Sequence, residues 1–101
     1  MHTHTDTLKF LKEFLEKNFL SNIDTTKNIR TRLVKEVDYL ELEKFIIASD
    51  LFLKCEDISE EDKNLIINNC CLGHVINEKK PVNWLYNLQQ SFMKALLRNF
   101  S

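Results

Sequence analysis

The chain has 101 residues, of which 44% are apolar and 29% charged, and its formal net charge is −1. This length suits one domain, and the balance excludes a disordered polar chain and argues against a broad phosphate footprint. One Gly and one Pro leave few tight turns, which excludes a turn-rich β fold and indicates long helices. We therefore expect a single helical domain over residues 1–101.

Hydropathy and the number of cysteines indicate the cellular compartment in which the protein is expected. The longest apolar run covers only residues 45–48, far short of the roughly 20 residues that span a bilayer, and the amino terminus lacks a signal-sequence pattern. Three cysteines form an odd set without a disulfide framework, which is typical of a reducing compartment. We expect a cytoplasmic protein with free thiols and no membrane contact.

The first helix is predicted after Thr5 or Asp6, either of which can act as its N-cap. It is predicted to end near Leu20. Its apolar stripe has helical spacing and consists of Leu8, Leu11, Leu15 and Phe19.

A much longer second helix is predicted from about residue 26 to 54, capped by Asp24, Thr25 or Thr26. At 1.5 Å per residue it would be about 43 Å long. Two alternatives stay open for such a length: a bend near residues 38–43, or one end that extends beyond the other helices. Its predicted stripe is Ile29, Leu33, Val37, Leu40, Ile47 and Leu51.

Two further helices complete the prediction. Ser59, followed by the acidic residues 60–62, marks the start of the third helix, because acidic side chains complement a helix amino terminus. Gly73 is either its C-terminal cap or is passed by a helix that continues to about Asn77. Pro81 suits the first turn of the fourth helix. Since the connections are short, the predicted fold is an all-α, four-helix antiparallel up-and-down bundle with a long second helix.

Charge is distributed unevenly along the chain. Residues 36–62 hold two basic and ten acidic side chains, a net charge of −8, whereas residues 1–35 and 63–101 carry +3 and +4. We expect an acidic surface that binds a basic protein partner, because complementary charge speeds encounter and selects partners. An immunity protein that neutralises a nuclease toxin in bacteria is one example of such a function. The predicted partner-binding residues are Glu36, Asp38, Glu41, Glu43, Glu56, Asp57, Glu60, Glu61 and Asp62.

Three other interpretations of the charges and helices stay open. The acidic residues could simply solvate helix faces and start the third helix. A nucleic-acid-binding regulator would use basic residues at the start of the second helix for phosphate contacts, although the near-neutral chain and the acidic stretch argue against it. A homodimer could share the long second helix as its interface. The basic residues in question are Lys27, Arg30, Arg32 and Lys35.

No pattern in the sequence predicts an enzyme, a metal site or a cofactor site. Cys70, Cys71 and His74 lie close together, but a fourth ligand would have to come from Cys55, His2 or His4, and no paired ligand spacing supports this. A single glycine excludes a phosphate-cradling loop. We therefore expect a protein that acts by binding and not by catalysis.

Overall fold

The computed structural model describes the backbone of residues 3–100 and the side chains of residues 6–98. This part of the chain forms five α-helices and no strand, so the predicted all-α class is confirmed and the predicted number of four helices is wrong. None of these helices is long and apolar enough to cross a membrane. The helices are α1 (Thr3–Phe19), α2 (Thr26–Glu36), α3 (Tyr39–Lys54), α4 (Glu60–Cys70) and α5 (Pro81–Phe100).

The predicted long second helix is wrong, because two helices occupy that stretch. The first of them, α2, has only 11 residues, and Val37 after it is extended. Asp38 is the N-cap of α3, and its side chain accepts a hydrogen bond from the Leu40 N–H at 3.1 Å. An aspartate in this role ends one helix and starts the next. Glu41 follows at capping-box spacing, a signal in the sequence that would have located the break.

The break also changes which face of α3 is buried. Ile29 and Leu33 of α2 are buried, as their predicted stripe requires. In α3, however, Leu40, Ile47 and Leu51 are 56%, 53% and 39% exposed. Two non-helical residues between the helices interrupt the helical period, so the stripe does not continue across them. The buried face of α3 is instead Leu42, Phe45, Ala48, Ser49 and Phe52.

The starts of α2, α4 and α5 agree with the sequence, whereas the start of α1 does not. That helix begins at Thr3, so Thr5 and Asp6 lie inside it and neither caps it. Thr25 caps α2 and accepts a hydrogen bond from the Asn28 N–H. Ser59 caps α4 in the same way, and Pro81 is the first residue of α5, so both of these predictions are confirmed.

The connection from α4 to α5 begins before Gly73. The helix ends at Cys70 with Cys71 as its cap, so it does not continue to Asn77. Gly73 has φ +91°, a left-handed conformation that favours glycine. A Cβ at this position would lie 3.0 Å from the Ser21 Cα, because the α4–α5 and α1–α2 connections touch there.

Aromatic side chains of α1, α3 and α5 form the centre of the core. The ring centroid of Phe14 lies 4.5 Å from that of Phe45 and 6.5 Å from that of Phe92. A third contact, with 5.0 Å between the ring centroids of Phe19 and Trp84, joins the end of α1 to the start of α5. Burial of these large apolar side chains supplies most of the stability of such a core.

Candidate functional site

A groove with a volume of about 380 Å³ lies between α2 and α5. We call it the α2–α5 groove. Among the described residues, eight side chains line it, of which four are basic and none is acidic. The lining residues are Arg30, Thr31, Val34 and Lys35 of α2, with Ser91, Lys94, Ala95 and Arg98 of α5.

Helical spacing puts these residues on facing surfaces of two helices. In α5, residues 91, 94, 95 and 98 share one face, and in α2 residues 30, 31, 34 and 35 do the same. Ser91 and Ala95 are small, so they leave space between the helices where larger side chains would fill it. Together α2 and α5 hold six basic residues and one acidic residue, although the whole chain has a net charge of −1.

The guanidinium of Arg30 is held against α5. Arg30 is half-buried, and its Nη1 donates a hydrogen bond to Ser91 Oγ at 3.2 Å. Ser91 Oγ in turn donates to the Asn87 carbonyl oxygen at 3.0 Å. This contact orients Arg30 and engages one of the five N–H donors that a guanidinium carries. The side chain is therefore positioned before any ligand arrives.

The orientation of the two helices follows from their contacts. Arg30 meets Ser91, and nearer the helix starts Thr26 accepts a hydrogen bond from Trp84 Nε1 at 3.0 Å. The helices therefore run side by side in the same direction. Their carboxyl-terminal ends, which carry partial negative charge, lie near each other.

The helix dipoles explain only part of the basic lining. Lys35 and Arg98 lie in the last turns of their helices, where a cation is ordinarily stabilising. Arg30 and Lys94 lie before those last turns, so the dipoles do not account for them. Stabilisation by a helix dipole therefore does not explain why Arg30 and Lys94 face the groove.

The structure divides the four basic residues noted in the sequence. Arg30 and Lys35 line the groove, and Lys27 lies at a smaller adjoining cleft that also includes Arg30. Arg32 points elsewhere, because its Nε lies 3.8 Å from the Glu36 carboxylate. The basic residues of α5 were not predicted to belong to a site. A signal was available, because α5 lacks acidic residues and carries Lys94 and Arg98 four positions apart.

The nine predicted acidic residues do not form one surface. They lie in two groups at opposite ends of α3, whose 16 residues rise about 24 Å. The first group is Glu36, Asp38, Glu41 and Glu43, and the second is Glu56, Asp57, Glu60, Glu61 and Asp62.

Several of these acids have local structural partners. Asp38 caps α3, and Glu36 pairs with Arg32. The Glu60 carboxylate lies 2.8 Å from Lys80 Nζ, and this ion pair lowers the pKa of Glu60 and raises the pKa of Lys80. Local structure thus accounts for part of the acidic stretch, as the interpretation of solvated faces and helix starts expects.

The cysteines and His74 are engaged in the interior. Burial raises the pKa of Cys71 to about 12 and also raises that of Cys70, so both thiols stay protonated near neutral pH and are poor ligands. His74 Nε2 lies 2.8 Å from Thr26 Oγ1, and its Nδ1 lies 3.0 Å from the Asn22 carbonyl oxygen. Among the described residues, no three His, Cys, Asp or Glu side chains are placed to hold a metal ion. The side chains of His2 and His4 lie outside that part of the chain.

Comparison of the chain with protein-family models, with curated proteins and with solved structures found no match, so its function has to be argued from its own surfaces.

Proposed function

We propose that this protein binds nucleic acid through the phosphate backbone, in the α2–α5 groove. The observation that carries this proposal is a groove between two parallel helices, whose described lining includes four basic side chains and no acidic one. Lys and Arg at such a surface neutralise phosphates and release condensed counterions. The fixed Arg30 guanidinium suits phosphate oxygens, which it can contact with two parallel N–H groups.

The other lining residues favour binding that does not depend on base sequence. Thr31, Val34, Ser91 and Ala95 are short, and none of the described lining side chains is an aromatic platform for unpaired bases. Phosphate contacts fix position and orientation but do not read bases. We therefore propose a duplex as the ligand, held by its backbone.

A charge-reversal experiment tests this proposal. The variant Lys35→Glu/Lys94→Glu changes two exposed lining residues, and Lys9→Glu/Lys12→Glu changes two exposed residues of α1 by the same total charge. Binding of a fluorescent 20-base-pair duplex is measured by anisotropy at low salt. We expect the groove variant to bind at least about tenfold more weakly than the control, because two phosphate contacts become repulsive. Equal weakening in both variants would show that only net charge matters.

Stoichiometric binding of a basic protein is a second candidate function. Residues 56–62 hold five acidic and no basic side chains, and all five acids are exposed. These acidic residues lie together on the α3–α4 connection and the first turn of α4. A toxin inhibitor is one protein of this kind, and reversal of Glu56, Asp57, Glu60 and Glu61 would abolish its partner binding.

A further inference from the structure

The face of α3 that was predicted to be buried carries apolar side chains on the surface of the protein. Ile47 and Leu51 lie four residues apart on one helix face, and both are exposed. Exposed aliphatic side chains are ordinary when they are scattered, but neighbours that line a depression indicate an interaction surface.

Two adjoining clefts run beside this face, between α1 and α3. One has a volume of about 250 Å³ and includes Leu8, Leu51 and Ile58, and the other has about 270 Å³ and includes Phe10 and Ile47. Thr7 lines both clefts, so the two lie next to each other at this residue. We call the two clefts together the α1–α3 groove. None of its described lining residues belongs to the α2–α5 groove.

Acidic side chains border this apolar surface. Asp6 lines one cleft and Asp57 lines the other, and Glu56 is the exposed neighbour of Asp57. Among the described lining residues Lys44 is the only basic one, and its Nζ lies 5.3 Å from the centroid of the Phe10 ring. The border at the α3–α4 connection therefore carries negative charge beside aliphatic groups.

We propose that the α1–α3 groove docks an amphipathic helix of a protein partner, one with aliphatic residues on one face and Lys or Arg beside it. A helix in a groove presents apolar anchors at positions i, i+3, i+4 and i+7. Those anchors would cover Ile47 and Leu51, and the basic residues would face Asp57 and Glu56. The apolar contacts supply affinity, while the charges select the partner and its direction. This groove would be the site of the second candidate function, binding of a basic protein. The proposal does not depend on nucleic-acid binding.

The probe for this proposal is a labelled 18-residue Leu/Lys peptide with leucines at helical spacing. A peptide in which glutamate replaces every lysine serves as the charge-reversed probe. Binding is measured by fluorescence anisotropy at physiological salt. The Leu/Lys peptide is expected to bind about tenfold or more tightly than the Leu/Glu peptide.

Neutral variants separate apolar docking from attraction by charge alone. Ile47→Gln/Leu51→Gln should weaken binding of the Leu/Lys peptide about tenfold. Leu65→Gln/Met93→Gln is a matched control outside the groove, because these residues are similarly exposed, at 58% and 38%, and it should bind the peptide like the unmodified protein. Helical circular dichroism and the melting temperature verify that all variants fold.

Three results would overturn the docking proposal. The first is absence of peptide binding, and the second is equal binding by the groove variant and its control. The third is a dimer in sedimentation velocity that only the groove variant loses, which would make this surface an interface between two copies. Each of these results leaves the duplex prediction standing, because the two grooves have no described lining residue in common.

Discussion

Trp84 Nε1 donates a hydrogen bond to Thr26 Oγ1 at 3.0 Å, which joins the first turn of α5 to the first residue of α2. The same hydroxyl lies 2.8 Å from His74 Nε2. Because the Asn22 carbonyl can only accept, His74 satisfies all of these contacts with its proton on Nδ1. The Thr26 hydroxyl then accepts from the indole and donates to the imidazole. This network holds one end of the α2–α5 groove together.

Replacement of Thr26 by valine should therefore destabilise the protein. The change leaves the buried Trp84 N–H and His74 Nε2 without their partner, at a cost of about 2 to 4 kcal/mol in the free energy of unfolding. Thr26→Ser keeps the hydroxyl and should cost much less. Urea unfolding measures both variants. Equal stability of the serine and valine variants would show that the hydroxyl contributes nothing.

Gly73 should resist substitution because its backbone and its surroundings both require glycine. Gly73→Ala places a side chain at φ +91° and a Cβ 3.0 Å from the Ser21 Cα, so we expect a loss of about 1 to 3 kcal/mol. Ser21 itself has φ +56°. Ser21→Gly removes that strain and should leave the melting temperature unchanged or higher. A Gly73→Ala variant as stable as the unmodified protein would contradict this account of the connection.

Asp38 should stabilise the protein by starting α3. Asp38→Ala removes the side chain that accepts from the Leu40 N–H, and we expect a loss of about 1 kcal/mol. Asp38→Asn keeps the capping oxygen and is the matched control. Thermal unfolding followed by circular dichroism measures the difference. If alanine proves as stable as asparagine, the cap is not what starts α3.

The buried thiols predict a loss of stability at alkaline pH. The pKa of Cys71 is raised from the ordinary 9.0 to about 12 in the folded protein. Above pH 9 the unfolded chain loses this proton while the folded protein keeps it, so the free energy of unfolding falls as the pH rises from 9 towards 12. The decline contributed by one such thiol is at most about 1.4 kcal/mol per pH unit.

A cysteine variant isolates that contribution from other alkaline titrations. Cys71→Ala has no thiol to ionise, so its stability should decline less steeply above pH 9 than that of the unmodified protein. Urea unfolding at pH 8 and pH 10.5 measures both slopes. Parallel declines would mean that the Cys71 thiol ionises equally in the folded and unfolded chains.

The helix starts were predictable where a local signal acts alone. Ser59 and Pro81 act within one turn of chain, so their roles follow from sequence. Asp38 carries an equally local signal, but the apolar residues on both sides of it suggested a continuous stripe. The helical spacing of apolar residues looks continuous in the sequence. In the structure the two non-helical residues turn the chain, so these positions do not lie on one face.

The candidate surfaces were less predictable because they depend on how distant helices pack. Lys94 and Lys35 are separated by 58 intervening residues, and only the contact between α2 and α5 brings them to one groove. The acidic residues show the reverse effect, since one acidic stretch of the sequence is divided between opposite ends of α3. The function predicted from them, binding of a basic protein, stays a prediction, and so does an interface between two copies.

The salt dependence of duplex binding tests the proposed function most directly. If the four basic side chains of the α2–α5 groove contact phosphates, the logarithm of the association constant should fall with the logarithm of the salt concentration with a slope of about −3 to −4. In Lys35→Ala/Lys94→Ala the slope should become shallower by about 2. Absence of duplex binding at low salt, or the same slope in this variant and the unmodified protein, would contradict nucleic-acid binding by the groove.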